Sequence, residues 1–188
     1  KTPAGFESTN ILSVPNFIVI SLLRFKTGIL AAQTNGKLTY LDDSGEKSEI
    51  KLAHRGIFIK YMSYGVDKDV WLIVEGSKEI INLNPDLSYK RYDVSNLPIE
   101  NYSTIFSNQK GEIFAAGTAS DVRIIKFNKL IDKFELLNLD LKIKFKSKVT
   151  INDIDFDKYG NPVLATSHGV LLVQNNSVTP LTPFLLGM

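Results

Sequence analysis

The chain contains four versions of one short pattern, which read GILAAQT at residues 28–34, DVWLIVE at 69–75, GEIFAAGT at 111–118 and GNPVLATS at 160–167. Each version is an apolar run that begins at a turn and ends in small or polar residues. The runs are spaced by 41, 43 and 49 residues, counted between Ile29, Val70, Ile113 and Pro162. A period of roughly 40–50 residues made of short strands is typical of β-propeller blades.

Around each run, short apolar segments alternate with turn residues, and helical periodicity is nearly absent. We treat residues 1–188 as a single β-propeller segment with blades at about 17–52, 57–94, 102–139 and 149–181. Asn35-Gly36 predicts a two-residue hairpin turn in the first blade, because both positions tolerate positive φ. The expected fold is all-β, with about four blades of four antiparallel strands. The apolar tail PLTPFLLGM favours a part of a larger propeller.

Composition narrows the class of protein. Of 188 residues, 44% are hydrophobic and 22% are charged, and the formal net charge is +2. Such a balance gives no argument for a nucleic-acid partner, which usually needs a strongly basic domain. The absence of cysteine excludes disulfides and thiolate-bound metals. The longest apolar stretch, NFIVISLL at residues 16–23, is too short for a bilayer span of ~20 residues, so no membrane contact is expected within the segment.

The fourth unit carries the most specific motif, INDIDFDKYGNPVLATSHGVLLV at residues 151–173. It resembles the two-component regulator propeller repeat, and the residues that fall on that repeat are Asp157, Gly160, Asn161, Thr166 and Gly169. Ala165 replaces the usual glycine, and Val163 stands where tryptophan is common. The second unit supplies Trp71 at the tryptophan position. The stretch IFAAGTASDVRIIKF at 113–127 is also similar to the repeats of NHL-type propellers.

The resemblance implies a periplasmic sensor region of a hybrid two-component histidine kinase, which senses glycans or their breakdown products. The implied partners are an oligosaccharide ligand and further propeller blades of the same parent chain. A homodimer is a third expected form of association.

A row of acidic residues looks at first like a calcium loop. It consists of Asp153, Asp155 and Asp157, followed by Asn161. An EF-hand loop that starts at Asp153 would need glycine and glutamate at positions where the chain has lysine and leucine. We therefore expect Asp157 to cap the backbone amides of a turn.

The two histidines, His54 and His168, are too few for zinc, which needs three or four ligands. We expect no metal and no cofactor. In a propeller, the loops between second and third strands lie on the same edge as the connections between blades, and this edge is the usual ligand mouth. Six residues in these loops are the candidate ligand-binding residues: His54, Arg55, Glu75, Tyr102, Asp121 and His168. The alternative is that they are ordinary polar loop residues.

Lysines alternate with apolar residues at Lys142, Lys144, Lys146 and Lys148, so a strand would place all four on one face. That face is either a patch for an anionic ligand or a solvated outer strand whose charges discourage edge pairing. Trp71 within WLIV is expected in the core. Five tyrosines are expected to offer exposed aromatic contacts: Tyr61, Tyr64, Tyr89, Tyr92 and Tyr102.

No nucleophile-elbow serine, cysteine nucleophile or HExxH motif is present. We therefore expect a non-catalytic segment, and the resemblance implies that it is a ligand-sensing part of an extracytoplasmic signalling receptor. Two alternatives stay open. One is a propeller enzyme, such as a sugar lyase or lactonase, which would need a metal and acidic residues converging at the central tunnel, with a carboxylate cluster near Glu75, Asp121 and Asp153. The other is a protein-interaction propeller.

Overall fold

The computed structural model describes residues 18–52 and 58–181. All regular structure in these two ranges is β-strand. Blade 1 consists of β1 (Val19–Phe25), β2 (Gly28–Gln33), β3 (Leu38–Leu41) and β4 (Lys47–Ile50). Blade 2 consists of β5 (Ile59–Tyr64), β6 (Val70–Val74), β7 (Glu79–Leu83) and β8 (Tyr89–Asp93).

Blade 3 consists of β9 (Asn101–Ser107), β10 (Ile113–Ala119), β11 (Ile124–Asn128) and β12 (Lys133–Leu136). After the two-residue strand β13 (Asp140–Leu141), blade 4 follows with β14 (Val149–Phe156), β15 (Pro162–Thr166), β16 (Gly169–Gln174) and β17 (Ser177–Pro180). Every blade is an antiparallel meander in which consecutive strands pair.

The first strands of successive blades pack against one another, β1 on β5, β5 on β9 and β9 on β14. This series places the four sheets around one axis, with the fourth strands at the rim. The arrangement is a β-propeller, and the predicted fold class is confirmed. Strands β1 and β14 lie at the two ends of the series.

The hydrophobic core lies between the blades. One cluster joins blades 1 and 2, a second joins blades 2 and 3, and a third joins blades 3 and 4. The second strands explain this placement, because all five residues of β6 are buried and their two faces meet different neighbouring blades. Burying one large aliphatic side chain stabilises a fold by about 1.5–3 kcal/mol, so the stacked sheets hold one another in place.

Blades 3 and 4 are joined by one strand. Most of β10 pairs with β9 and β11, but its last two residues, Thr118 and Ala119, pair with Thr150 and Val149 of β14. The β9–β10 ladder shifts register between Ala116 and Gly117. A side chain on Gly117 would overlap the backbone carbonyl of Asn101, so glycine is required where β10 changes partner.

The turn at Asn35-Gly36 differs from its prediction. Only Gly36 has positive φ, at 81°. Asn35 instead uses its side-chain oxygen to accept a hydrogen bond from the Lys37 amide at 3.0 Å. The turn is therefore a longer one, closed by the Gly36 amide on the Gln33 carbonyl at 3.0 Å.

The segment that carries the four lysines runs along blade 4. β13 pairs in parallel with β17 at the rim, and the residues after it alternate between exposed lysines and partly buried apolar side chains. Leu141, Ile143 and Phe145 pack against the core between blades 3 and 4. The four lysines are exposed, although the strand predicted to carry them ends at Leu141. Lys148 forms an ion pair with Glu100 at 2.6 Å.

Two edges of the blades are used below. The upper edge carries the loops between second and third strands and the connections between blades. The lower edge carries the loops between first and second strands and between third and fourth strands. No helix in the part of the chain that the structure describes is long and apolar enough to cross a membrane.

Candidate functional site

On the upper edge, three of the predicted ligand-binding residues, Glu75, Asp121 and His168, lie in separate local contacts. Glu75 follows β6, and its Oε2 forms an ion pair with Lys60 Nζ at 2.7 Å. Asp121 follows β10, and both of its oxygens accept hydrogen bonds from the guanidinium of Arg123, with Nη2 at 2.7 Å from Oδ2. Each carboxylate is therefore neutralised by a neighbour of its own blade.

His168 lies in the loop between β15 and β16. Its Nε2 is 3.0 Å from Ser147 Oγ, and its Nδ1 is 3.0 Å from Ser167 Oγ. The ring also packs edge-on against Phe145, with centroids 5.3 Å apart. These contacts fix the imidazole between the lysine-bearing segment and blade 4.

Tyr102 is not an exposed aromatic residue, and that prediction is wrong. Its side chain is buried in the core between blades 2 and 3, and its hydroxyl donates to the Val94 carbonyl at 3.3 Å. Burial raises the pKa of Tyr102 above its ordinary value. The β-strand alternation explains the error, because Tyr102 sits inside β9 rather than in the loop before it. His54 and Arg55 lie outside the described residues.

The other four tyrosines are more accessible than Tyr102. Tyr64 is exposed, whereas Tyr61, Tyr89 and Tyr92 are partly buried. Tyr61 reaches beyond blade 3 toward blade 4, where its hydroxyl lies 3.5 Å from Asp153 Oδ1. Burial, together with the Asp153 charge, raises the pKa of Tyr61.

The acidic row of blade 4 runs along β14, which contains Asp153 and Asp155, and ends at Asp157, where a turn begins. Asp157 Oδ1 accepts hydrogen bonds from the amides of Tyr159 at 2.8 Å and Asn161 at 2.9 Å. Its Oδ2 accepts from the Asn161 side chain at 2.9 Å. The predicted capping role of Asp157 is confirmed. No cluster of three or more metal-ligating side chains occurs within residues 18–52 and 58–181.

A cleft on the lower edge lies between blades 2 and 3, and we call it the Trp71 cleft. Its volume is about 340 Å³, within the roughly 300–1,000 Å³ typical of small-molecule sites. Its lining residues come from four lower-edge loops and the strands beneath them: Val66, Asp67, Asp69, Trp71, Asn82, Asn84, Pro85, Tyr92, Gly111, Ile113, Phe127, Lys129 and Asp132. None of the four predicted ligand-binding residues that the structure describes lines it.

Aromatic rings form one wall of the Trp71 cleft. Trp71 stacks on Tyr92 with centroids 5.4 Å apart and an interplanar angle of 26°. Phe127 of blade 3 approaches the same indole at 4.9 Å. The prediction that Trp71 is buried is confirmed, at 4% exposure. Its indole N–H is buried without a hydrogen-bond partner within the described part of the chain.

The Trp71 cleft also contains a negatively charged group, the carboxylate of Asp69, which hydrogen bonds hold in one orientation. Asp69 Oδ1 accepts from the Asp67 amide at 3.2 Å, and Oδ2 accepts from the side chain of buried Asn82. Gly65 makes room for this carboxylate, since a side chain there would overlap it. Burial, together with the Asp69 charge, raises the pKa of Tyr92.

The other acids of the cleft are paired with lysines. Asp132 accepts from Lys90 and from the Tyr92 hydroxyl, the latter at 3.0 Å. Asp67 lies 3.7 Å from Lys129 Nζ. Within the described residues, no ion pair is recorded for Asp69, so the cleft keeps one negative charge beside its aromatic wall.

The approach of the two blades depends on Gly111. Its φ is +71°, and a side chain there would overlap Val66 in the turn of blade 2. Sequence reasoning did not find the cleft, because it forms only where these two turns meet. The sequence did contain one signal of the cleft. The turn between the first and second strands begins with Asn108 in blade 3 and Asp157 in blade 4, but with a glycine in blade 2, which instead has an aspartate, Asp69, four residues later.

No family model matches the chain, and no curated protein matches it. Solved structures do. Virginiamycin B lyase from Staphylococcus aureus is 11% identical with a TM-score of 0.69, over 92% of this chain and 58% of the lyase. YCF48 from Cyanidioschyzon merolae is 13% identical with a TM-score of 0.61, over 89% of this chain and 59% of that protein.

PorZ, a surface component of the type-IX secretion system of Porphyromonas gingivalis, is 9% identical with a TM-score of 0.60, over 87% of this chain and 22% of PorZ. The chain thus spans less than two thirds of the length of these structures. At such identities the likeness concerns architecture, and the comparisons together show that this chain has a β-propeller fold.

Proposed function

We propose that this chain is a non-catalytic, ligand-binding part of a propeller, and that the Trp71 cleft binds a neutral or amino-bearing oligosaccharide. The observation that carries the proposal is the oriented carboxylate of Asp69 beside the indole of Trp71. A sugar ring has an apolar C–H face and hydroxyl groups at its edge. The cleft offers an aromatic wall for the first and oxygen and amide groups for the second.

The negative charge of Asp69 determines which sugars the cleft can bind. Because Asp69 keeps its negative charge without a cation partner among the residues described, an acidic sugar or a phosphate would be repelled. A hydroxyl or an ammonium group would instead donate a hydrogen bond to the carboxylate, and hydrogen bonds to charged groups are stronger than neutral ones. Asn84 adds an amide at the rim of the cleft.

The enzyme alternative needs carboxylates that converge on one reacting centre. Instead, Glu75 forms an ion pair with Lys60, and Asp121 forms one with Arg123. The third carboxylate, Asp153, lies near the Tyr61 hydroxyl. Three separate partners for three carboxylates favour the binding role over the lyase or lactonase role.

We place the segment in a periplasmic sensor region of a signalling receptor as part of the same proposal. The support is the motif of blade 4, in which Asp157, Gly160 and Asn161 build the turn expected of a two-component regulator propeller repeat. The reading frame of the parent gene tests this placement. A membrane-spanning helix and a kinase module in the same frame are expected, and a frame without them contradicts it.

Calorimetry with a panel of oligosaccharides tests the binding role. The panel contains neutral, amino-bearing and uronic-acid-bearing members. We expect binding of a neutral or amino-bearing member, weakened at least about tenfold by Asp69→Asn. Asp121→Asn on the upper edge is the matched control and should leave the affinity unchanged. Loss of binding in the control alone, or no binding of any member, contradicts the proposal.

A further inference from the structure

The first sheet of the series has an outward face that no described blade covers. Equivalent first-strand residues can be identified by their pairing with the second strand. In each blade, one of them pairs with the residue two positions after Ile29, Val70, Ile113 or Pro162, from which the repeat spacing was counted. In blades 2, 3 and 4 this residue is buried by the preceding blade, with Met62 6%, Ile105 0% and Ile154 3% exposed. In blade 1 it is Leu22, which is 60% exposed, and Ile29 beside it is 42% exposed.

The last sheet has a matching outward face. In blade 2, the face toward blade 3 is buried along its length and consists of Trp71, Ile73, Ile80 and Asn82. The residues at the same positions of blade 4 are partly or fully exposed and consist of Val163, Ala165, Val170 and Leu172. Both ends of the series therefore present the kind of surface that joins blades elsewhere in the molecule.

The two end faces also carry complementary charges at matching positions. Where blade 3 meets blade 4, Phe106 of β9 stacks on Phe156 of β14 with centroids 4.7 Å apart. By strand register, Asp155 of blade 4 stands at the position of Phe106, and Arg24 of blade 1 stands at the position of Phe156. Asp155 and Arg24 are both exposed. A blade 1 packed on a blade 4 would bring these two charges together.

We propose that a second copy of this chain covers both faces, with blade 4 of each copy packed against blade 1 of the other. The contact is head-to-tail, and two such contacts related by a two-fold axis along the propeller axis close a ring. Two copies of four blades give eight, which lies within the range of about 4–8 blades found in propellers.

The inference is independent of the ligand proposal, because the Trp71 cleft lies between blades 2 and 3 of one copy. It also differs from covering by other blades of a longer chain, which would leave the 188-residue chain a monomer. The complementary charges of Arg24 and Asp155 at matching positions favour the second copy, because both residues belong to this sequence.

Sedimentation equilibrium of the 188-residue chain tests the proposal. We expect twice the monomer mass for the native protein. Arg24→Asp and Asp155→Arg should each weaken the dimer at least about tenfold, because each places like charges together. The double variant Arg24→Asp, Asp155→Arg should recover most of that loss, which a general effect on folding would not do.

Leu22→Glu on the outward face of blade 1 should give a monomer with an unchanged far-ultraviolet circular dichroism spectrum. Leu130→Glu is the matched control, because Leu130 is 96% exposed in the turn between β11 and β12, away from both end faces. A native protein that stays monomeric overturns the proposal. A dimer that tolerates both charge reversals, or an open-ended polymer, overturns it as well.

Discussion

The carboxylate of Asp69 fills the space that a side chain on Gly65 would need. In blades 3 and 4, the positions equivalent to Gly65 are Asn108 and Asp157, whose side chains accept the turn amides two and four residues later. In blade 2 the acceptor has moved to the other end of the turn. Asp69 accepts the Asp67 amide and still has an oxygen for Asn82. The exchange preserves the turn and places a carboxylate at the Trp71 cleft.

Replacing Gly65 with alanine should displace Asp69. The new methyl group would overlap the carboxylate, and relieving such overlaps typically costs about 1–3 kcal/mol. We expect a lower melting temperature and weaker sugar binding in the same variant. Thermal unfolding and calorimetry measure the two effects. Unchanged sugar affinity would show that the position of Asp69 does not matter for binding.

Gly117→Ala should destabilise the junction between blades 3 and 4. The added Cβ would overlap the Asn101 carbonyl, which is backbone and cannot rotate away. We expect a loss of about 1–3 kcal/mol in the free energy of unfolding, measured by chemical denaturation. Gly45→Asn is the control, because Gly45 has open space around it and asparagine tolerates its φ of +85°. Equal effects of the two changes would argue against the close approach.

Stability at acid pH should depend on Asp157. Hydrogen bonds from Asn161 and from turn amides hold the pKa of Asp157 below its ordinary value. A carboxyl whose pKa is lower in the folded state stabilises the fold above its unfolded pKa, and this contribution disappears as the pH falls through the folded pKa. We expect the melting temperature of the native protein to fall between about pH 5 and about pH 2.

The Asp157→Asn variant isolates that contribution. Asn161 and the turn amides no longer favour a charged group, so the melting temperature of the variant should fall less over the same acid range. Asp42 and Asp86 cap other turns and have lowered pKa values for the same reason. They therefore titrate in both proteins, and only the difference between the two curves reports Asp157. Parallel curves would contradict the assignment.

Trp71→Phe and Trp71→Ala should differ widely in stability. Truncation to alanine opens a cavity in the aromatic cluster and should cost about 3–5 kcal/mol. Phenylalanine keeps a ring against Tyr92 and Phe127 and removes a buried N–H that has no partner among the described residues, so its cost should be clearly smaller. Chemical denaturation of both variants gives the comparison. A phenylalanine variant as unstable as the alanine variant would mean that the N–H is satisfied.

The architecture could be predicted because each repeat carries an apolar second strand, and in β6 both faces of that strand are buried. A run such as WLIV has no polar face to offer to water, and four such runs at regular spacing leave little besides stacked sheets. The exposure of the lysines could also be predicted, because they alternate with apolar residues that pack against the core. These features depend on the local sequence and on the repeat period, and both can be read without knowing which residues are in contact.

The candidate site could not be predicted in the same way. Tyr102 looks like a loop residue until the start of β9 is known. The Trp71 cleft requires the turns of blades 2 and 3 to meet, which depends on Gly111 having no side chain beside Val66. The glycine at Gly65 and the aspartate at Asp69 can be seen in the sequence. Their meaning becomes clear only when the turns of blades 3 and 4 show that the side-chain hydrogen-bond acceptor normally stands at the position of Gly65.

The most direct measurement is the fluorescence of Trp71, the single tryptophan of the chain, during titration with a neutral or amino-bearing oligosaccharide. The indole is buried at the wall of the cleft, so a ligand bound there should change its emission in a saturable way, with the same dissociation constant as calorimetry. Asp69→Asn should shift that constant, and Asp121→Asn should not. Calorimetric binding that leaves the emission of Trp71 unchanged would place the ligand elsewhere and contradict the account.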